Sequence, residues 1–70
     1  MSEQVLLNSQ RRLAEAVRDA CLRAAVEGYE RAAIAGLCHE GAWECAIDAI
    51  RTLDIEAVLQ ALAKTQAPSD

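Results

Sequence analysis

The sequence predicts an all-α protein, one long N-terminal helix followed by two short helices, assembled as a helical homo-oligomer. Three observations carry this expectation. No proline interrupts residues 3–35, and alanine and arginine dominate there; both are strong helix formers. Beyond Gly41 the apolar residues recur at helical spacing, with no period-two run that would read as a strand. Finally, a chain of 70 residues removes only roughly 60% of its unfolded surface from water. A single core of this size rarely yields more than about 3–5 kcal/mol, so small domains add disulfides, a metal or association.

The first helix is predicted over about residues 3–35. On a wheel of roughly 100° per residue, Leu13, Val17, Ala20, Cys21, Ala24, Gly28 and Ala35 share one face, made mostly of small side chains, and Leu22, Val26, Tyr29 and Ala33 lie opposite. Between them Asp19, Arg23, Glu27 and Arg31 alternate in sign at i,i+4 spacing, where each pair adds a few tenths of a kcal/mol. A helix apolar on two sides must cover both. Two short helices cannot cover thirty residues, which points to a second chain, a homodimer in the simplest case, or to a larger protein partner.

Gly36 suits the left-handed position that ends many helices, and residues 36–41 are expected to form a turn. From about 42 to 53 the apolar residues Trp43, Ala46, Ile47, Ile50 and Leu53 fall on one face and Glu44, Asp48 and Arg51 on the other, an amphipathic second helix. Asp54 is suited to cap a third over about 55–64, with Ile55, Val58, Leu59 and Leu62 facing inward. Residues 65–70 are expected to fray. The whole chain is one domain.

Three cysteines are an odd count, and no secretory h-region follows Met1; both point to a reducing cytoplasm rather than a disulfide framework. Cys38, His39 and Cys45, with Cys21 as a fourth, are the candidates for a metal staple. Six residues separate Cys38 from Cys45, whereas structural zinc sites space their pairs by two to five. Small buried hydrophobes are therefore the expected role of these cysteines, and no metal and no cofactor is expected. A small-molecule or acyl-group-handling site near Cys38, His39 and Glu40 is the alternative of a different class, with Cys38 as a thiolate at a helix start. Under that alternative Cys38→Ser abolishes activity and spares the fold.

Glu40 and Glu44 share a helix face and Asp48 continues it. Catalytic carboxylate pairs need unlike environments; these two read as a solvated strip, favoured by the helix dipole and available to a basic partner. Trp43 is the sole tryptophan and, with Tyr29, one of two aromatics. A core anchor on the Ile47 and Ile50 stripe is its expected role. Tryptophan and tyrosine are also enriched where proteins bind one another, so Trp43, Tyr29, His39, Glu40 and Glu44 are the candidate interaction residues. His39 itself is expected as a capping or turn residue.

Charge excludes one class of partner. Residues 1–36 hold five acids and five arginines, whereas residues 37–70 hold six acids against Arg51 and Lys64. Nucleic-acid affinity comes largely from cations on phosphates, so no nucleic acid is expected as a partner. No apolar run approaches the roughly 20 residues that span a bilayer, so no membrane partner is expected either.

The run GLCHEGAWECAIDAIRTLDI, residues 36–55, together with Val17 to Ala35 and its Tyr29-Glu30 pair, resembles a stretch recurring in short bacterial proteins of unestablished function, some of which carry the label acetyltransferase. The resemblance implies a bacterial, cytoplasmic protein and marks the Leu37–Glu44 segment as its distinguishing feature. It brings no catalytic residue with it. The function expected from the residues is that of a non-enzymatic accessory protein acting by self-association or by docking to a larger protein.

Overall fold

A computed structural model of the chain describes residues 2–66. Among them are three α-helices and no strand: α1 over Glu3–Ile34, α2 over His39–Arg51 and α3 over Ile55–Gln66. The chain divides into two units, one of Asp19–Leu53 and one in which α1 up to Arg18 goes with the chain from Asp54 onward. No described helix is long and apolar enough to cross a membrane.

In the Asp19–Leu53 unit the helix ends are set by local chemistry. Gly36 has φ +94°, the left-handed conformation that costs an L side chain but not glycine. The Gly36 N–H donates to the Ala33 carbonyl and the Leu37 N–H to the Ala32 carbonyl, each at 3.0 Å, the paired bonds of a Schellman end. The turn is shorter than expected, because α2 begins at His39 rather than near Ala42. Cys38 takes the N-cap position, with φ −70° and ψ 170°, and its Sγ accepts from the Gly41 N–H at 3.5 Å. At the other end the Thr52 hydroxyl and N–H both donate to the Asp48 carbonyl, at 2.9 Å each.

The two helices of this unit meet through small residues. The buried positions are Ala20, Gly28 and Ala32 on α1 and Ala42 and Ala46 on α2. A Cβ built on Gly28 would stand 3.0 Å from Ala49 Cβ and 3.1 Å from the Cys45 carbonyl oxygen, so glycine is what allows the backbones this near. Of the small face predicted for α1, Ala20 and Gly28 are buried and Ala32 joins them, whereas Ala35 lies exposed beyond the end of the helix.

The expected inward stripe of α2 is corrected by this geometry. Of that stripe Ala46 is buried and Leu53 half-buried, whereas Trp43, Ile47 and Ile50 are exposed, Trp43 at 59%, and Ala42 is buried beside Ala46. A helix pair brought close at Gly28 has room between its axes for methyl groups only, so the bulky stripe stays outside. The opposite apolar face of α1 is likewise open, Leu22 at 61% and Val26 at 55%. The expected i,i+4 ladder on α1 is not closed: among the described residues the single ion pair is Asp48–Arg51, 3.7 Å apart. Both side chains are well exposed, and such pairs contribute little.

In the other unit, Asp54 caps α3, its Oδ1 accepting from the Ala57 N–H at 3.1 Å. Val58 and Leu62 of α3 are half-buried, as are Leu13, Ala16 and Val17 of α1. Ile55 and Leu59, expected to face inward, are exposed, and so are Val5, Leu6 and Leu7. The last helical turn includes Thr65, whose hydroxyl donates to the Ala61 and Leu62 carbonyls. Of the tail expected to fray, Thr65 and Gln66 are thus helical, and residues 67–70 lie outside the described residues.

Candidate functional site

The sequence candidates converge on one side of the Asp19–Leu53 unit. Tyr29 Oη and His39 Nδ1 are 2.6 Å apart; with the imidazole proton on Nε2, the hydroxyl donates. Their rings meet edge to face, with centroids 5.7 Å apart and planes at 72°. The contact follows from two local features. Tyr29 sits one residue beyond the tightly packed Gly28, at the border of the buried face, and the Cys38 cap places His39 at the first position of α2.

His39, Glu40, Trp43 and Glu44 then line a shallow depression of about 390 Å³. All four are exposed. The two carboxylates lie one turn apart in the first half of α2, where the helix dipole favours negative charge. Trp43 stands one turn beyond His39 and begins the exposed apolar row that Ile47 and Ile50 continue. On α1, Tyr29 likewise follows Val26 and Leu22 along the open face. The Tyr29–His39 contact therefore ties the edge of the open α1 face to the start of α2.

The cysteines do not gather. Cys38 is exposed and caps α2 through Gly41, whereas Cys21 and Cys45 are half-buried, and all three are free thiols. Cys45 lines a separate groove of about 670 Å³ with Gly28, Ala32 and Ala49, with Arg31 and Asp48 at its rim. Among the described residues no three of His, Cys, Asp and Glu stand where one metal ion could be held. The imidazole of His39 is engaged by Tyr29 and the Cys38 sulfur by the Gly41 amide, so adjacency in sequence does not make the two side chains a pair.

Five candidate interaction residues, Tyr29, His39, Glu40, Trp43 and Glu44, are therefore brought to one place. Leu22 and Val26 on α1 and Ile47 and Ile50 on α2 are also exposed, although the sequence reading placed the two isoleucines in the core. The signal for them was the alanine row Ala42, Ala46 and Ala49, which competes with the isoleucines for the inward position and complements Gly28. No protein-family model, no curated protein and no solved structure matches this chain.

Proposed function

We propose that this chain is a non-enzymatic helical interaction protein, working by self-association or by docking onto a larger protein through the open face of α1 and α2. The observation that carries this reading is the inversion of side-chain size. The buried apolar side chains are alanines, while Trp43, Ile47, Ile50, Leu22 and Val26 are exposed. Covering a large apolar side chain gains on the order of 1–3 kcal/mol, so this face offers a partner more than the chain's own core holds. Large exposed apolar side chains mark sites of protein association, and Trp43 and Tyr29 supply aromatic anchors typical of them.

The acidic second half of the chain argues for a protein rather than a nucleic acid as partner. Glu40 and Glu44 beside Trp43 would meet basic groups at the edge of the contact. Three unbridged cysteines suit a reducing cytoplasm.

The test is light scattering of the purified chain from about 1 to 100 μM, the range in which weak self-association shows, combined with a thermal melt and uptake of an apolar dye. Association, or a loosely packed monomer that takes up dye, is the expected result. Trp43→Ala should weaken the association or reduce the dye signal while leaving the helical circular dichroism in place. A monomer at every concentration, with a sharp melt and no dye uptake, would overturn the reading.

A further inference from the structure

The exposed face of α2 is apolar along one line and acidic along the next. At roughly 100° per residue, Ile50, Trp43 and Ile47 lie side by side on the helix, and Glu40 and Glu44 follow beyond Ile47, one turn or about 6 Å apart. All five are exposed. Arg51 falls between the two carboxylates around the helix, but it pairs with Asp48 at 3.7 Å, the single ion pair among the described residues. Neither Glu40 nor Glu44 is therefore met by a cation of the described chain. Both border the hollow of about 390 Å³ that Trp43 shares with His39, and the Tyr29 hydroxyl, 2.6 Å from Nδ1, holds that imidazole at the rim.

We infer that this face receives an amphipathic helix of another protein. Its apolar row lies on Trp43, Ile47 and Ile50, and its arginines, one turn apart along one edge, meet Glu40 and Glu44. Such a partner presupposes that the chain works by docking, as proposed above, and gives the docking its chemistry.

Three features select it. An arginine answers the whole hollow at once, because its planar guanidinium stacks on an indole and donates in pairs to a carboxylate. A helix brings its backbone already hydrogen-bonded, whereas an extended segment would add to a sheet edge, and no strand exists among the described residues. A second copy answers the charge badly. It carries the same net −4, and laid antiparallel about a two-fold axis its acidic edge would face this one. Laid parallel, it would turn to that edge the His39 side of its row, where Nδ1 is engaged by Tyr29.

Trp43 is the sole tryptophan, so its emission reports this face alone. The experiment titrates the full chain with three tryptophan-free amphipathic peptides of about 20 residues, long enough to hold a helix. They share an apolar row and carry arginine, glutamine or glutamate along its edge. The arginine peptide should shift the Trp43 emission to the blue and saturate between about 1 and 100 μM, and the glutamate peptide should bind at least about tenfold more weakly. The double variant Glu40→Lys, Glu44→Lys should reverse that order, with circular dichroism checking that α2 stays folded. The neutral pair Glu40→Gln, Glu44→Gln should remove the preference without reversing it. Equal binding of all three peptides, or of none by a chain that takes up dye, overturns the basic helix as occupant and leaves the docking reading standing. Trp43 emission that is already blue-shifted in the chain alone, and moves to the red on dilution, makes a second copy the occupant and likewise overturns it. A sharply melting monomer that takes up no dye and binds no peptide overturns both.

Discussion

Replacing Gly28 with alanine sets two opposing contributions against each other at the one point where α1 and α2 approach most closely. In a solvent-exposed helix interior the change gains about 1 kcal/mol of helix propensity. Here the new methyl would stand 3.0 Å from Ala49 Cβ and 3.1 Å from the Cys45 carbonyl oxygen, well inside the roughly 3.5–4.0 Å of favourable carbon contact. Neither neighbour can rotate away: one is a Cβ fixed to its helix and the other is backbone. Relief requires α2 as a whole to move outward by about half an ångström, and a gap of that size already forfeits a quarter or more of each contact it opens. The contacts opened are those of Ala42 and Ala46, 1% and 4% exposed. Overpacking of this kind costs about 1–3 kcal/mol, so Gly28→Ala should lose about 1 kcal/mol net and lower the melting midpoint by about 4–8 °C. Gly28→Val should lose clearly more. Urea unfolding followed by far-ultraviolet circular dichroism, at one fixed protein concentration, measures both. The exposed Ala14→Gly reports the propensity scale in this host. If Gly28→Ala instead raised stability by the full propensity gain, the close approach of α1 and α2 at Gly28 would be refuted.

Gly36→Ala meets no neighbour within 4 Å, so its cost is purely that of φ +94°, about 1–2 kcal/mol in the same urea titration, with Gly36→Asn recovering part of it. Cys38→Ser should leave α2 intact and raise the stability by a few tenths to about 1 kcal/mol, because a hydroxyl oxygen caps a helix better than the sulfur held 3.5 Å from the Gly41 amide. A fall in stability would contradict the capping role. Asp54→Ala removes the acceptor of the Ala57 amide and should cost about 1 kcal/mol, seen as faster amide hydrogen exchange in the first turn of α3 with α2 unchanged.

The helices were legible because they depend on local chemistry. The proline-free run of α1, Gly36 after it and Asp54 before α3 each act on neighbouring residues, and the structure uses each as the sequence suggests. The start of α2 was less legible, since cysteine is an uncommon cap and only the 3.5 Å sulfur contact shows it acting as one. The faces were harder still. Hydrophobic periodicity weights the largest side chains, and along α2 it centres the inward face on Trp43, Ile47 and Ile50 with Ala46 among them, whereas burial here follows backbone proximity and selects Ala46 with Ala42. Ile55 and Leu59 were misplaced by the same weighting. The convergence of Tyr29 on His39 depends on how α1 and α2 pack, which no local pattern encodes.

A core of alanines also bears on how the chain stays folded. Burying a methyl group gains about 0.8 kcal/mol, against at least 1 kcal/mol of backbone entropy for each residue ordered, so Ala20, Ala32, Ala42 and Ala46 cannot hold the Asp19–Leu53 unit by themselves. Helix hydrogen bonds and caps add to them, but the large apolar side chains that would supply most of the stabilisation are on the outside. If a second copy covers any of them, association and folding are one equilibrium, and stability must depend on protein concentration. A tenfold rise then favours the dimer by about 1.4 kcal/mol, which for a folded unit of two chains should raise the melting midpoint by about 3–6 °C. Scanning calorimetry at two concentrations a decade apart reads this directly. A midpoint that does not move would mean the alanine-lined contact and the helix caps suffice alone, and the exposed Trp43, Ile47 and Ile50 would then contribute nothing to folding.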